Sequence, residues 1–250
     1  MKLSSIDKCF QIIELLSENP QGLKLSEISG MLNFSPSTTH HILRTLYPLA
    51  YVFQDPDTRK YSPGFRFLEI SSRIIDNIGI RKIAAKHLQE LHKQCREAVH
   101  LAVLRNGKLI YVDKVDSPEG LSLDNYIGFS TDPHAAAGGK VLLADMPPAQ
   151  VLEIYQGRPL KQYGKKTIIS FGRLLKELEE VRKHGYAIED EEYCEGLRGV
   201  AAPVKAGGTV VAAISIRGSA STFTIERMHE ELIRLITKTA ENISSEMFGK

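Results

Sequence analysis

Apolar side chains recur at helical spacing from residue 5 to residue 18 (Ile6, Cys9, Phe10, Ile12, Ile13, Leu15, Leu16), and Asn19-Pro20-Gln21-Gly22 closes that run. Residues 26–32 predict a second, short helix, and Asn33-Phe34-Ser35 interrupts it. Ser35 then offers an N-cap hydroxyl and Pro36 suits a first helical position, so a third helix runs to about Tyr47, where Pro48 ends it. Tyr51-Val52-Phe53 reads as a strand, Asp55-Pro56-Asp57 as a turn and Tyr61 as the start of a return strand. Three helices followed by a hairpin is the order of a winged helix-turn-helix, placed at residues 1–64.

The pattern then lengthens. Phe67, Leu68, Ile74, Ile75 and Ile78 form an apolar stripe on a linker helix spanning 65–79. A second domain, 80–250, opens with a helix to residue 94. The strand-like AVHLAVL and KLIYVDKV flank an Asn106-Gly107 turn, and LSLDNYI predicts a third strand. A Gly/Ala-rich helix at 135–145, a proline-started helix at 147–156 and a charged helix from Ser170 to Gly185 follow. RGVAAPV and TVVAAISIRG read as two more strands, and Thr224 caps a final helix to about residue 246. The class is α+β, with a mixed second domain built on a largely antiparallel sheet.

On the third helix, Thr39, Ile42, Leu43, Leu46 and Leu49 share one side, while Ser37, His40, His41 and Arg44 share the other. No Asp or Glu lies between residues 28 and 54, whereas an ordinary solvated face mixes both signs. A face without acid is suited to approach phosphates, and small hydroxyl residues such as Ser35, Ser37 and Thr38 let the helix start come close. Arg44 is placed to contact phosphate or guanine, and Arg59 and Lys60 to reach flanking DNA from the hairpin tip. The whole-chain charge of +2 adds little, since residues 1–64 hold six basic and six acidic side chains. Adjacent histidines diverge by about 100° on a helix, so His40 and His41 do not form a metal pair.

These stretches resemble the IclR family of bacterial transcription regulators. The resemblance is carried by LSEISGMLNFSPSTTHHILRTL, the wing RKYSPG, IGFSTDPHAAAGGKVLLA, HGYAIEDEEYCEGLRGVAAPV and VVAAISIRG, and covers essentially the whole chain. It implies a winged helix-turn-helix joined by a linker helix to a GAF-like effector-binding domain, acting as a homodimer or homotetramer on palindromic double-stranded operator DNA. It also implies an effector pocket of Leu123, Thr131, Ala137, Gly138, Glu189, Leu197, Gly199, Ser215 and Arg217. The chain departs from the family where Glu189 replaces a frequent Asp, Arg217 a small polar residue, Gly199 a Cys and Ala50 a Gly.

The residues add their own physics. Small side chains in HAAAGGK expose the N–H groups of a helix start, and Ser215 and Arg217, two apart on a strand, share a face. An arginine there can fork onto a carboxylate, so an anionic effector is expected. Arg217 and Glu189 are expected to pair in its absence. Catalysis is not expected: there is no phosphate-binding loop or GxSxG, and Cys194 lies among Glu191, Glu192 and Glu195, which repel a thiolate. Three scattered cysteines imply a reducing cytoplasm. No cofactor or metal is expected, the first residues read as a helix rather than a signal peptide, and no apolar run is long enough to span a membrane. The alternative is a DNA-binding protein whose second domain serves only oligomerisation.

Overall fold

The computed structural model describes residues 4–117 and 126–248, and the chain divides into two compact units after Asn77. The first unit holds α1 (Ser5–Ser17), α2 (Leu25–Leu32), α3 (Pro36–Leu46), the hairpin strands β1 (Val52–Gln54) and β2 (Tyr61–Pro63), and α4 (Arg66–Asp76). Its core is the apolar set the periodicity picks out: Ile12, Leu16, Ile28, Ile42, Leu43, Leu46 and Val52. Ile6 and Phe10 of that set stay 68% and 58% exposed on α1, and Leu49 is 55% exposed. Helix α3 has already ended there, so its 100° spacing no longer applies.

Local chemistry sets the boundaries. Ser4 and Asp7 close a capping box on α1. Asn33 ends α2 in the left-handed region, and Ser35 caps α3 by accepting from the Thr38 amide at 3.1 Å. The Ser29 hydroxyl meets Thr39 Oγ1 at 3.0 Å, a buried polar tie that fixes the α2–α3 crossing.

Ala50 leads into the wing with φ of 57°, a conformation that costs a side-chain-bearing residue about 1–2 kcal/mol. A Cβ on Gly64 would lie 2.1 Å from the Ala50 carbonyl oxygen, so the turn cannot relax towards that neighbour. Ala50→Gly is therefore expected to stabilise the first unit by about 0.5–1 kcal/mol after the entropy cost of glycine, read as a higher midpoint in chemical unfolding.

The second unit is a sheet between two helical layers. Strands β3 (Ala98–Arg105), β4 (Lys108–Val115), β5 (Ser130–Thr131), β6 (Ala187–Asp190), β7 (Leu197–Ala206) and β8 (Thr209–Ser219) are ordered β5-β4-β3-β8-β7-β6, with every pairing antiparallel. The predicted third strand LSLDNYI falls largely outside the described residues, and the strand found beside β4 is β5. Strand β6 was not anticipated: Ala-Ile-Glu-Asp is too short and too acidic to signal a strand.

One sheet face packs on α5 (Gly79–Cys95) and α10 (Ile233–Phe248), burying Leu88, Leu91, Leu101, Val200, Ile214, Ile216 and Ile236. The other packs on α6 (Ala137–Ala144), α7 (Pro148–Tyr155) and α8 (Phe171–His184), burying Ala102, Leu109, Tyr111, Ala201 and Ala213 against Val141, Leu143 and Leu174. The period of two along β8 sends Ile214 and Ile216 to the first core, and Ala213, Ser215 and Arg217 to the second. Ser170 stands at the N-cap of α8, as its position suggests, but its side chain makes no capping bond. Thr224 does cap, accepting from the Arg227 amide at 3.2 Å, and α9 (Ile225–Arg227) passes through a π-helical turn into α10.

Candidate functional site

Helix α3 presents Ser35, Ser37, His40, His41 and Arg44 to solvent, with Thr38 half-buried beside the Ser35 cap. The four buried side chains Thr39, Ile42, Leu43 and Leu46 anchor the opposite side, so the polar face is held by the core beneath it. At the wing, Asp55 is consumed internally: its carboxylate accepts from the Thr58 amide at 2.7 Å, the Thr58 hydroxyl at 2.8 Å and the Asp57 amide at 3.1 Å. Those bonds from Thr58 hold the Asp55 carboxyl below the usual aspartate range. Arg59 is exposed at φ 58°, and Lys60 is half-buried, with Nζ 3.4 Å from the Gln21 carbonyl. Arg59 thus leads at the wing, and Lys60 leans back on the loop after α1.

In the second unit the register collects the polar residues. Glu189 on β6 pairs with Gly199 on β7, and Gly199 with Arg217 on β8, so the three form one row across the sheet. Because partners in register point to the same face, Arg217 can lie across the gap left by Gly199 and reach Glu189. Its Nη2 donates to Glu189 Oε1 at 3.2 Å and its Nη1 donates to the Tyr111 hydroxyl at 3.1 Å. A Cβ at position 199 would come within 3.1 Å of Arg217 Cγ, so the glycine makes room for this side chain. Tyr193 lies over the guanidinium with its ring centroid 5.6 Å from Cζ.

The cluster is sealed: Glu189 is fully buried, Arg217 is 4% exposed and His100 3%. Burial opposes the arginine charge, but Glu189 and then Tyr111 outweigh it, leaving the Arg217 pKa above its ordinary value. Burial, followed by the charges of Arg217 and Lys114, pushes the His100 imidazole down to about 3, so it is neutral at physiological pH. Glu189 Oε2, Arg217 Nε, His100 Nδ1 and Thr131 Oγ1 are buried without a hydrogen-bond partner among the described residues. Buried polar groups are normally satisfied, so this concentration of free ones sets the cluster apart from the apolar core around it.

Of the other effector residues the sequence suggests, Ser215, Leu197 and Gly199 share this face and are buried. Ala137 and Gly138 open α6, where Ala136 at the N-cap has no side chain to satisfy the first amides. Gly138 also rests close on the sheet, since a Cβ there would meet the Ala213 Cβ at 3.7 Å. Leu123 lies outside the described residues. Sequence reasoning did not single out His100, Tyr111, Tyr193 or Lys140 as parts of the site. His100 and Tyr111 look like ordinary strand residues until register joins them, with ring centroids 5.3 Å apart.

Lys140 was hidden by its setting in an apolar helix. Only 1% exposed, it donates to Glu192 at 2.6 Å and to Glu177 at 2.9 Å. It thereby ties α6 to α8 and to the EDEEY loop that carries Tyr193 over Arg217. Burial pushes the Glu192 carboxyl up, and Lys140 opposes that shift. Lys166 adds a second strap to the loop, reaching Asp190 at 2.9 Å and Glu191 at 2.8 Å. No group of three or more His, Cys, Asp or Glu side chains could hold a metal among the described residues. Among those residues, no helix is long and apolar enough to cross a membrane.

A helix-turn-helix with a wing, followed by a separate mixed α/β unit, is the architecture of a DNA-binding transcription regulator. The chain belongs to the IclR family: "IclR helix-turn-helix domain" matches residues 5–56 and "Bacterial transcriptional regulator IclR C-terminal" matches residues 72–245. It is 33% identical over 246 residues to the HTH-type transcriptional regulator KdgR of Escherichia coli K12, covering 98% of this chain and 93% of that one. The IclR structure from Thermotoga maritima superposes with a TM-score of 0.79 at 32% identity, covering 97% and 98% of the two chains. An IclR homolog from Microbacterium hydrocarbonoxydans, solved in complex with 4-hydroxybenzoate, has the same fold, with a TM-score of 0.82 at 22% identity over 98% and 99% of the chains.

Proposed function

We propose that this chain is a cytoplasmic repressor that binds a palindromic operator as a homodimer or homotetramer, and that a small anionic effector seated at the Arg217 cluster modulates that binding. The observation that carries the effector half is the sealed Arg217–Glu189 pair with one free donor and one free acceptor beside it. An incoming carboxylate would take over the guanidinium and displace Glu189 from it. A second domain serving oligomerisation alone would have no use for unsatisfied buried charges, which destabilise a fold unless a ligand completes them.

Assembly is supported by α4, which buries none of its side chains and leaves Leu68 and Ile74 exposed on the first unit, as is Phe65 at its N-cap. A second copy covering that stripe would double the phosphate contacts and set two half-sites roughly 10 base pairs, or a multiple of that, apart.

A thermal-shift screen of the full-length protein against small carboxylates, sugar acids and aromatic acids tests the effector site, with Arg217→Met alongside. A compound that raises the wild-type midpoint and leaves the variant unmoved is the expected result. A compound that stabilises both equally would remove Arg217 from the site. On the DNA side, Arg44→Ala is expected to weaken operator binding by about 1–3 kcal/mol with loss of base discrimination, measured by fluorescence anisotropy. An equal loss on random DNA would assign Arg44 to phosphate alone.

A further inference from the structure

We propose that His41 takes up a proton when α3 docks on DNA, so that operator affinity rises as pH falls and the helix meets its site with two cations, His41 and Arg44. This rests on the reading of α3 as the DNA-facing helix and adds a proton-linked contact to it.

The geometry of α3 singles out His41. The buried side chains Thr39, Ile42, Leu43 and Leu46 define the direction that faces the core. At about 100° per residue, Ser37 lies nearly opposite that direction, His41 and Arg44 lie about 30° to either side of the outward line, and His40 lies about 70° from it, at the rim. Both histidines are exposed, and the Thr45 hydroxyl that reaches His41 donates to its carbonyl oxygen at 2.9 Å and leaves the ring free. No carboxylate is placed to claim either imidazole. No Asp or Glu lies between residues 28 and 54. Glu27 at the start of α2 turns back to accept from the Lys24 amide at 2.6 Å, and Asp55 on the wing is taken up by Asp57 and Thr58. The other charged groups of α2 and the wing are Lys24, Asp57, Arg59 and Lys60, and Lys8 of α1 is held over the Phe34 ring.

The chemistry of the face gives the proton a place to go. His40 and His41 are the only histidines of residues 1–77, and histidine is the side chain that ordinarily changes charge between pH 5 and pH 8. Cys9, the one thiol of that unit, is pushed up by burial, away from this range. A neutral imidazole offers one donor and one acceptor, whereas the imidazolium offers two donors and a charge. Phosphate oxygens, guanine N7 and guanine O6 only accept, so the charged form meets each of them better. DNA therefore supplies the anionic partner that the free protein withholds, and a group that gains such a partner on binding takes up a proton with it. The sign follows from linkage. The gain is fully present at low pH and is lost as pH rises through the value the imidazole has in the complex. Operator occupancy thus falls as the surroundings turn alkaline.

Fluorescence anisotropy of the full-length protein at constant ionic strength tests this, with the duplex that the protein itself selects from a library of random inserts as the probe. Wild-type affinity is expected to rise about tenfold from pH 8 to pH 6, with a steeper salt dependence at the lower pH. His41→Gln keeps a polar side chain that carries no charge, and is expected to lose most of that rise. His41→Arg is charged at both pH values, and is expected to bind at pH 8 more tightly than wild type does and to show no rise. His40→Gln, whatever it does to overall affinity, is expected to keep a rise of about fivefold or more. Thermal melts of each variant confirm that the fold is retained. A wild-type rise below about twofold overturns the proton linkage. A His41→Gln variant that keeps the wild-type rise overturns the assignment to His41. The reading of α3 as the DNA-facing helix fails separately, only if Arg44→Ala, His41→Gln and His41→Arg all bind as wild type does at both pH values.

Discussion

Replacing Arg217 by methionine is expected to cost the second unit about 3–5 kcal/mol, because it strands Glu189 as a fully buried carboxylate without its cation. The reverse change, Glu189→Met, strands the guanidinium, although the Tyr111 hydroxyl still accepts from it. Both changes together remove the charge problem and leave two apolar side chains of similar volume in a face that already holds Ala187, Ala201 and Ala213. The double variant is therefore expected to recover most of the loss, since replacing a buried ion pair with apolar residues is often neutral or stabilising. Urea unfolding of the four proteins closes the cycle. A loss below about 1 kcal/mol for Arg217→Met would mean that water reaches the pair and that the cluster is not sealed. The expected outcome marks the pair as a feature retained at a cost in stability, which is intelligible if a ligand uses it.

How far the sequence discloses this arrangement depends on the range of the forces involved. The first unit is legible almost completely, because its signals are local: the Ser35 cap, Pro36, the Asn33 break and the 3.6-residue stripe each act within a few residues. The residues beneath the recognition face were readable for the same reason, and Leu49 was misplaced only because the helix ends before it. In the second unit, the β3–β4 hairpin followed from Asn106-Gly107, but β6 did not, since nothing in Ala187–Asp190 distinguishes a strand from a charged loop. The Arg217–Glu189 pairing was readable as chemistry. Its mechanism, a glycine between the two on the middle strand, needed the register of three strands remote in sequence. His100 and Tyr111 were invisible for a further reason. A bulge between Leu101 and Ala102 shifts the pairing, so that Ala102 meets Tyr111 and turns it to the same face as His100.

Lys140 is the clearest case of a residue whose role only packing reveals, and Lys140→Met is expected to be as damaging as loss of Arg217, at about 3–5 kcal/mol near pH 8. The methionine fits the apolar helix; the damage falls on Glu192, which is buried and already has one oxygen without a partner. The sign of the pH dependence follows. Burial already raises the Glu192 carboxyl above its ordinary value, and losing Lys140 removes the largest opposing influence. A carboxyl whose folded pKa lies above its unfolded one destabilises the fold at high pH. That penalty fades as pH falls through the folded value towards the unfolded one, because the native state then takes up the proton. The gap between wild type and Lys140→Met should therefore narrow steadily on acidification, and Lys140→Met/Glu192→Gln should show a smaller gap with little pH dependence. If the single variant is equally destabilised at pH 5 and pH 8, the cost is one of packing in α6, and Glu192 is not the group that Lys140 neutralises. If the gap narrows as expected, Lys140 is the charge that lets the EDEEY loop close over the Arg217 cluster.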